Sequence, residues 1–100
     1  MMLLHPESLG EMERAIDWYD HQRRGLGAEL ASELTSCFRA IQEAPASFRR
    51  DPEVPGVHRA YLSRFPYAIL FAIEAETILV LAIAHHRREP GYWRRRLEPG

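Results

Sequence analysis

The sequence has a single cysteine, Cys37, and no lysine among its 13 basic residues, which are all arginine. One cysteine cannot form an internal disulfide, so the composition suits a reducing compartment rather than a disulfide-stabilised secreted domain. The longest apolar runs, residues 67–73 and 78–84, have 7 residues each, and a membrane-spanning helix needs roughly 20. Pro6 and Glu7 follow the first apolar residues too soon for a signal peptide. We therefore predict a cytoplasmic protein that does not enter a membrane.

Motifs for several catalytic classes are also missing. The sequence has no Gly-x-Ser-x-Gly nucleophile motif and no glycine loop of the kind that binds phosphate. Cys37 lies beside the apolar stripe of a predicted helix, which favours a place in the core over a catalytic role. Three of the five histidines are scattered, and the adjacent pair His85 and His86 would point to opposite faces of a strand. No cysteine or carboxylate joins them at ligand spacing, so we predict no metal site and no cofactor.

The length of 100 residues fits one domain spanning residues 1–100. Its 46% hydrophobic and 27% charged residues are typical of a globular protein. The formal net charge of −1 hides an asymmetry, because residues 1–48 hold 4 arginines against 8 acids and residues 49–100 hold 9 against 6. A local arginine patch can therefore attract phosphate or carboxylate although the whole chain is near neutral.

Two amphipathic helices are predicted in the first half. Apolar residues recur at helical spacing in two segments: Leu9, Met12, Ile16 and Tyr19, then Leu26, Leu30, Leu34, Phe38 and Ile41. Pro6 fits the first position of the first helix, and Ser8 with Glu11 offers a capping box slightly later. The second helix stops at Pro45. A short glycine-containing turn between the two stripes predicts an antiparallel helical hairpin.

The second half changes to an extended pattern. Val57–Leu62, Tyr67–Glu74 and Thr77–His85 are predicted strands, and the tight link between the last two predicts an antiparallel hairpin. Met2–His5 is a short apolar edge strand, and residues 45–56 are a proline-rich loop. The predicted fold class is α+β, with an N-terminal antiparallel helical hairpin packed on a small, mostly antiparallel β-sheet.

Both faces of the predicted β-hairpin are apolar. In the first of its strands Ile69, Phe71 and Ile73 alternate with Ala68, Leu70 and Ala72, and in the second Leu79, Leu81 and Ile83 alternate with Ile78, Val80 and Ala82. Two helices cover only one face of a sheet, and a solvated second face would be polar. We expect the loop around Phe48 and the C-terminal tail to cover part of the second face, and a partner chain to cover the rest. Internal cover alone is the alternative.

The densest group of candidate site residues runs from His85 to Arg96 and contains two histidines, five arginines and two large aromatic residues. Arginine offers forked donors for phosphate or carboxylate, and aromatic rings offer stacking surfaces. Arg87 and Arg88 follow a buried strand, which would hold them firmly, so we favour a functional role for them. For Arg94–Arg96 a binding role and a solvated tail are equally open. Trp93 is interpreted as packing on the sheet.

Arg59 and Arg64 add positive charge on or beside the preceding strand. Arg59 shares a strand face with Val57 and Tyr61. It is either a target contact or one half of a structural ion pair with a helix acid. Arg64 lies in a predicted turn, where we expect its side chain to be exposed.

Several segments, taken together, point to a known family. They are His5-Pro6-Glu7, Ala15-Ile16-Asp17-Trp18-Tyr19, Gly25-Leu26-Gly27, Ala44-Pro45, Arg64–Phe71 and Ala82–Trp93. In order and spacing, the chain resembles toxins of the RelE/ParE superfamily of type II toxin–antitoxin modules, and it is closer to the ParE-like members. The resemblance implies a helical hairpin on a small antiparallel sheet. It also implies growth inhibition, a link to plasmid stabilisation, and a co-encoded antitoxin whose disordered segment folds over the toxin.

The resemblance leaves the cellular target open between DNA gyrase and the ribosome. ParE-like members poison DNA gyrase and need no catalytic set, whereas ribonuclease members cut messenger RNA on the ribosome without a metal. The residues matching a nuclease set would be His86, Arg87, Arg88 and Tyr92. Ribonuclease members also place a basic residue in a central strand, where this sequence has Ala68 or Ile69, and neither can act as a base.

The resemblance therefore implies a toxin that is neutralised by an antitoxin, with gyrase poisoning as the leading activity. A ribosome-dependent endoribonuclease and an inert antitoxin-binding homologue are the alternatives. The residues predicted to contact the target or partner are Arg59, Arg64, Arg87, Arg88, Tyr92, Trp93, Arg94 and Arg95. A hetero-oligomer of toxin and antitoxin is the expected assembly.

Overall fold

Two helices pack on one face of a five-stranded sheet in the computed structural model, which describes residues 1–98. The elements in chain order are β1 (Met2–Leu4), α1 (Pro6–Gln22), α2 (Leu26–Glu43), a 3₁₀ turn (Pro45–Ser47), β2 (Arg49–Arg50), β3 (Val57–Tyr61), β4 (Tyr67–Glu74), β5 (Thr77–His85) and a second 3₁₀ turn (Arg94–Leu97). The predicted α+β architecture is confirmed.

The sheet has the strand order β1-β5-β4-β3-β2. β2, β3, β4 and β5 are joined by antiparallel pairs, while β1 runs parallel to β5 with Leu3 opposite Leu79. The predicted edge strand and the three long strands are therefore confirmed. β2 lies inside the segment predicted as a loop, with Arg49 opposite Arg59. Two residues are too few to show a periodic pattern, so the sequence could not reveal this strand.

The first helix begins with a different cap from the one predicted. Pro6 occupies the first turn as expected, and the Nδ1 atom of His5 accepts a hydrogen bond from the Glu7 amide at 3.1 Å. The capping box of Ser8 and Glu11 is wrong. The Ser8 hydroxyl donates to the His5 carbonyl at 2.7 Å, and the Glu11 carboxylate accepts a hydrogen bond from the amide of Ile83, in β5. Glu11 therefore does not cap α1, and its carboxylate bonds to β5 instead.

Asp20 and Gly27 set the turn between the helices. The Oδ1 atom of Asp20 accepts hydrogen bonds from the amides of Gly25 and Gly27 at 2.9 and 3.3 Å, which satisfies amides at the start of α2. Gly25 has a φ of 92°, a conformation that favours glycine. Gly27 is buried where α2 meets α1, because it has no side chain to hold the helices apart.

Replacing Gly27 with alanine should destabilise the fold by about 1–3 kcal/mol, the usual cost of overpacking. The added Cβ would lie 2.5 Å from the Ile16 carbonyl oxygen and 2.9 Å from the Asp20 Cβ, and a backbone atom cannot easily move away. Gly10→Ala is the matched control, because its Cβ would meet only the flexible tip of Arg14. That variant should be more stable by about 0.5–1 kcal/mol. Urea unfolding of both variants checks this, and similar effects of the two changes would contradict it.

The larger core lies between the helices and the sheet. Its most buried members are Leu30, Leu34, Ile41, Ile69, Phe71 and Val80. Phe48 closes one end of this core, with its ring edge-on to Phe71 at 5.9 Å between centroids. Phe48 itself therefore covers the helix side of the sheet, and the predicted cover of the second face by its loop is provided by Val54 instead.

The second face is covered by the chain itself. Val57, Leu70 and Leu81 are buried there under Trp93, which is only 2% exposed. The predicted cover by the C-terminal tail is confirmed, and the chain alone is enough to bury these three residues. Cover of the rest of this face by a partner stays a prediction. Val54, from the loop before β3, packs against the same cluster.

A register shift in β5 changes which side chains share a face. Leu70 lies opposite Ala82 and Phe71 opposite Val80, so Leu81 is the extra residue of a β-bulge. Ile83 consequently packs in the helix-side core with Val80, while Leu81 and Ala82 both belong to the second face. The predicted strict alternation along β5 is wrong beyond Val80, because the bulge reverses it.

Candidate functional site

A pocket of about 290 Å³ opens on the second face of the sheet, where β3 and β5 end and β4 begins. We call it the β-face pocket. Its floor is Ala68, Leu70 and Ala84, its walls include Tyr61, Tyr92 and Trp93, and its rim includes Arg59, His86, Arg88 and Glu89. The alanines leave the hollow that larger side chains would fill. The pocket combines an apolar floor with a mainly basic rim.

The turn after β5 is held by hydrogen bonds that place Arg87 and Arg88. The His86 amide donates to the Pro66 carbonyl at 2.9 Å, and the Arg88 amide donates to the His85 carbonyl at 3.0 Å. The Arg87 amide donates to Nδ1 of His85 at 3.0 Å. Burial and the nearby charge of Arg87 lower the pKa of His85, which keeps Nδ1 available as an acceptor at neutral pH.

Glu11 of α1 ties the C-terminal tail to the pocket. Its Oε2 accepts a hydrogen bond from the Tyr92 hydroxyl at 2.6 Å. The Arg96 guanidinium donates to both of its oxygens, at 2.9 and 3.0 Å, and the Ile83 amide donates at 3.0 Å. The Glu11 side chain is only 8% exposed. Arg96 is also buried and donates to the Leu81 carbonyl at 2.9 Å, so these groups form one buried network.

This network fixes the protonation of its members. Burial alone would raise the pKa of Glu11, but the hydrogen bonds from Arg96, Tyr92 and Ile83 outweigh it, and the pKa is lowered. Burial and the hydrogen bond to Glu11 raise the pKa of Tyr92. At neutral pH Glu11 is therefore charged, and Tyr92 keeps the proton that it donates to Glu11.

Arg88 carries the free positive charge of the pocket rim. Its Cζ atom lies 3.8 Å from the centroid of the Tyr92 ring, a cation–π contact. Its Nη1 is 4.0 Å from Glu11, whose charge is already balanced by Arg96. The Arg88 side chain is 54% exposed. The neighbouring Arg87 has no ion pair within residues 1–98.

A family model described as the ParE toxin of the type II toxin–antitoxin system parDE matches residues 2–90. The chain belongs to the ParE toxin family. The structure is similar to a solved structure titled "Chromosomal ParDE TA system from P. aeruginosa", with a TM-score of 0.75 and 19% identity over 84% of this chain and 92% of that chain. At this identity the likeness shows the fold alone. A search of curated proteins gave no significant match.

Family membership confirms the resemblance found in the sequence. The chain is a ParE-type toxin of a type II toxin–antitoxin system, and an antitoxin is its implied partner. The family match ends at Pro90, so Tyr92, Trp93 and Arg96 of the pocket and its network lie beyond the matched segment.

Within residues 1–98, no helix is long and apolar enough to cross a membrane, and no group of three potential ligand side chains could hold a metal ion.

Arg59 forms a structural ion pair, but its partner was predicted wrongly. Its Nε and Nη2 atoms lie 3.1 and 2.7 Å from Oδ1 of Asp51, which belongs to the loop before β3 and not to a helix. Asp51 is buried and also accepts hydrogen bonds from the amides of Glu53 and Val54. Arg59 thus holds this loop against β3 while its side chain lines the β-face pocket.

The other predicted contact residues divide by whether they line the β-face pocket. Arg88, Tyr92 and Trp93 line it together with Arg59, and so does His86, which was predicted only for a nuclease set. Arg87 lies outside the lining. Arg64, Arg94 and Arg95 lie outside its lining and pair with Glu29, Glu53 and Glu7, respectively. Trp93 is buried in the second-face core, so its interpretation as a packing residue is confirmed, while its role as a partner contact stays a prediction.

Sequence reasoning missed Glu11 and Tyr61, and it left Arg96 undecided. Glu11 meets Arg96 across 85 positions of the chain, and nothing near either residue signals the pairing. Tyr61 is 50% exposed at the end of β3, with its ring edge-on to His86.

Cys37 is half-buried in the helix-side core, as predicted, and burial raises the pKa of its thiol to about 11, which makes it a poor nucleophile.

Proposed function

We propose that this ParE-family toxin inhibits growth by poisoning DNA gyrase without catalysis, and that a co-encoded antitoxin neutralises it by binding to its surface. The proposal rests mainly on Tyr92, the residue that would serve as the acid of a nuclease set. Its hydroxyl already donates to the buried Glu11 carboxylate at 2.6 Å. Its raised pKa makes it a weak proton donor at neutral pH. The activity would take place in the cytoplasm.

The position of the missing base supports the same conclusion. Ribonuclease relatives would need a basic side chain where this chain has Ala68 or Ile69. Both are buried and apolar, so neither can take a proton from a ribose hydroxyl. Arg88 could stabilise developing negative charge, but a cation alone does not complete the acid–base set. Non-catalytic binding is the activity that the site supports best.

Replacing Tyr92 with phenylalanine separates poisoning from nuclease action. The ring and its contact with Arg88 would remain, while the hydroxyl and its proton would be lost, so we expect growth inhibition within about 3-fold of the unchanged chain. Cells induced for either chain should accumulate gyrase–DNA cleavage complexes and keep their transcripts intact. Arg88→Ala should weaken growth inhibition at least about 10-fold, whereas Arg39→Ala, an exposed change on α2, should leave it unchanged.

Three other results would contradict the proposal in different ways. Loss of toxicity in Tyr92→Phe together with cleaved transcripts would support an endoribonuclease. No effect of the unchanged chain on growth would support an inert homologue. Failure of an adjoining or overlapping short reading frame to restore growth when co-expressed would argue against the neutralising antitoxin alone.

A further inference from the structure

We infer that the β-face pocket accepts one large apolar side chain from a protein partner, with a carboxylate of the same segment held at the rim by Arg88. This inference rests on the proposed function, because it assumes that the toxin acts by binding proteins. It adds the chemistry of the bound segment, and the reasons lie in the floor, the rim and the aromatic walls of the pocket.

The floor of the pocket determines the apolar part of the ligand. Ala68, Leu70 and Ala84 line it and offer only hydrocarbon. The alanines leave a hollow of about 290 Å³, which is the lower limit of typical small-molecule sites. Such a space suits a single large side chain, whose burial displaces water from hydrocarbon surface.

The rim determines the charged part of the ligand. Arg59 is satisfied by Asp51, and the Glu11 charge is balanced by Arg96. Glu89 also lies at the rim but forms no ion pair with Arg88 within residues 1–98. Arg88 therefore keeps a positive charge that is half-exposed and stacked on Tyr92. The stacking holds its planar guanidinium in place, so its forked donors are ready for a carboxylate. Charge complementarity therefore favours an acidic residue next to the apolar one.

The aromatic walls argue against a nucleic acid in this pocket. Single-stranded nucleic acids bind through bases stacked on free aromatic faces. Trp93 is buried against the sheet. The guanidinium groups of Arg88 and Arg96 lie over the Tyr92 ring, with their Cζ atoms 3.8 and 5.1 Å from its centroid. Trp93 and Tyr92 are thus occupied, and Tyr61, which is 50% exposed and lies edge-on to His86, is the wall ring that keeps an open face. One open ring does not provide the successive stacking surfaces that a single strand uses, so a peptide segment is favoured over a nucleotide.

Capped dipeptides test the inference on the full chain. The probes are acetyl-Leu-Glu-amide, the uncharged acetyl-Leu-Gln-amide, the truncated acetyl-Ala-Glu-amide and the dinucleotide d(TT). NMR titration should give acetyl-Leu-Glu-amide a Kd on the order of 1 mM, typical of a small fragment. Its shifts should be largest at Tyr61, Ala68 and Ala84. The uncharged probe should bind about 5-fold more weakly and the truncated probe about 10-fold more weakly.

Two variants assign the binding to the pocket. Ala84→Leu should fill the floor and weaken binding of acetyl-Leu-Glu-amide at least about 10-fold, while Ala28→Leu, at an exposed position of α2, should not. Arg88→Gln should reduce binding about 5-fold and remove the preference for Glu over Gln. A thermal melt of each variant shows that it is folded.

Each remaining outcome overturns the inference. It fails if no dipeptide binds, if d(TT) binds more tightly than the dipeptides, or if Ala84→Leu and Ala28→Leu behave alike. These titrations contain no gyrase, so their failure is distinct from failure of the proposed function. Absence of cleavage complexes in cells would reject gyrase poisoning and leave the measured pocket chemistry standing.

Discussion

Replacing Trp93 with alanine is expected to lower the free energy of unfolding by about 3–5 kcal/mol, the usual cost of removing a buried aromatic side chain. Trp93 is 2% exposed and packs with Val57, Leu70 and Leu81 on the second face of the sheet. Its removal would leave those side chains in contact with water. Urea unfolding followed by far-ultraviolet circular dichroism measures the change.

Trp18→Ala is the matched control for this prediction. Trp18 lies on α1 with 57% of its surface exposed, so its loss should cost less than about 1 kcal/mol. The Trp93 variant should also self-associate, because its exposed sheet face would be apolar. A monomeric Trp93→Ala variant as stable as the Trp18 variant would show that the tail is not what covers this face.

Replacing Glu11 with alanine should also destabilise the chain, by about 3–5 kcal/mol, because it leaves the buried charge of Arg96 without its main partner. The other carboxylate near Arg96 is that of Glu7, which is half-exposed and 3.7 Å away, so it compensates weakly. Glu13→Ala changes an exposed carboxylate on the same helix and should alter stability by less than about 0.5 kcal/mol. Equal effects of the two changes would contradict a central role for Glu11.

The Glu11 contribution should depend on pH in a defined direction. The pKa of Glu11 is lowered in the folded chain, so the unfolded chain takes up this proton first as the pH falls. The contribution is complete above the unfolded pKa of about 4.3 and is lost as the pH falls through the lower folded value. The stability difference between the unchanged chain and Glu11→Gln should therefore be constant near neutral pH and shrink below about pH 4. A stability difference that grows in acid would contradict a lowered pKa of Glu11 in the folded chain.

The fold was largely predictable because its main elements are long and periodic. The bounds of β4 and β5 were predicted residue for residue, since each is a long apolar run ended by polar turn residues. The bulge at Leu81 was not predictable, because it depends on pairing with β4 and leaves the composition of β5 unchanged. One extra residue was enough to move Ile83 to the other face.

The site was predictable in its residue types and not in its pairings. Arg88 was identified because it follows a buried strand, and Tyr92 because it resembles the C-terminal tyrosine of the ribonuclease members. The partners of Arg59 and Arg96 were missed, since each pairing depends on how distant segments meet. Asp51 lies in a loop that carries no periodic signal, and Glu11 lies 85 positions before Arg96. Local sequence patterns do not show which residues from distant segments meet in the folded chain.

The parallel pairing of β1 with β5 determines when the sheet can be completed during synthesis. Met1 donates to the Glu76 carbonyl, and the His5 amide donates to the Val80 carbonyl at 2.9 Å. β1 therefore has no strand to pair with until β5, which follows it by most of the described chain, has left the ribosome. The helical hairpin can form from local contacts during synthesis, but the sheet that carries the β-face pocket is complete only after β5 has been synthesised.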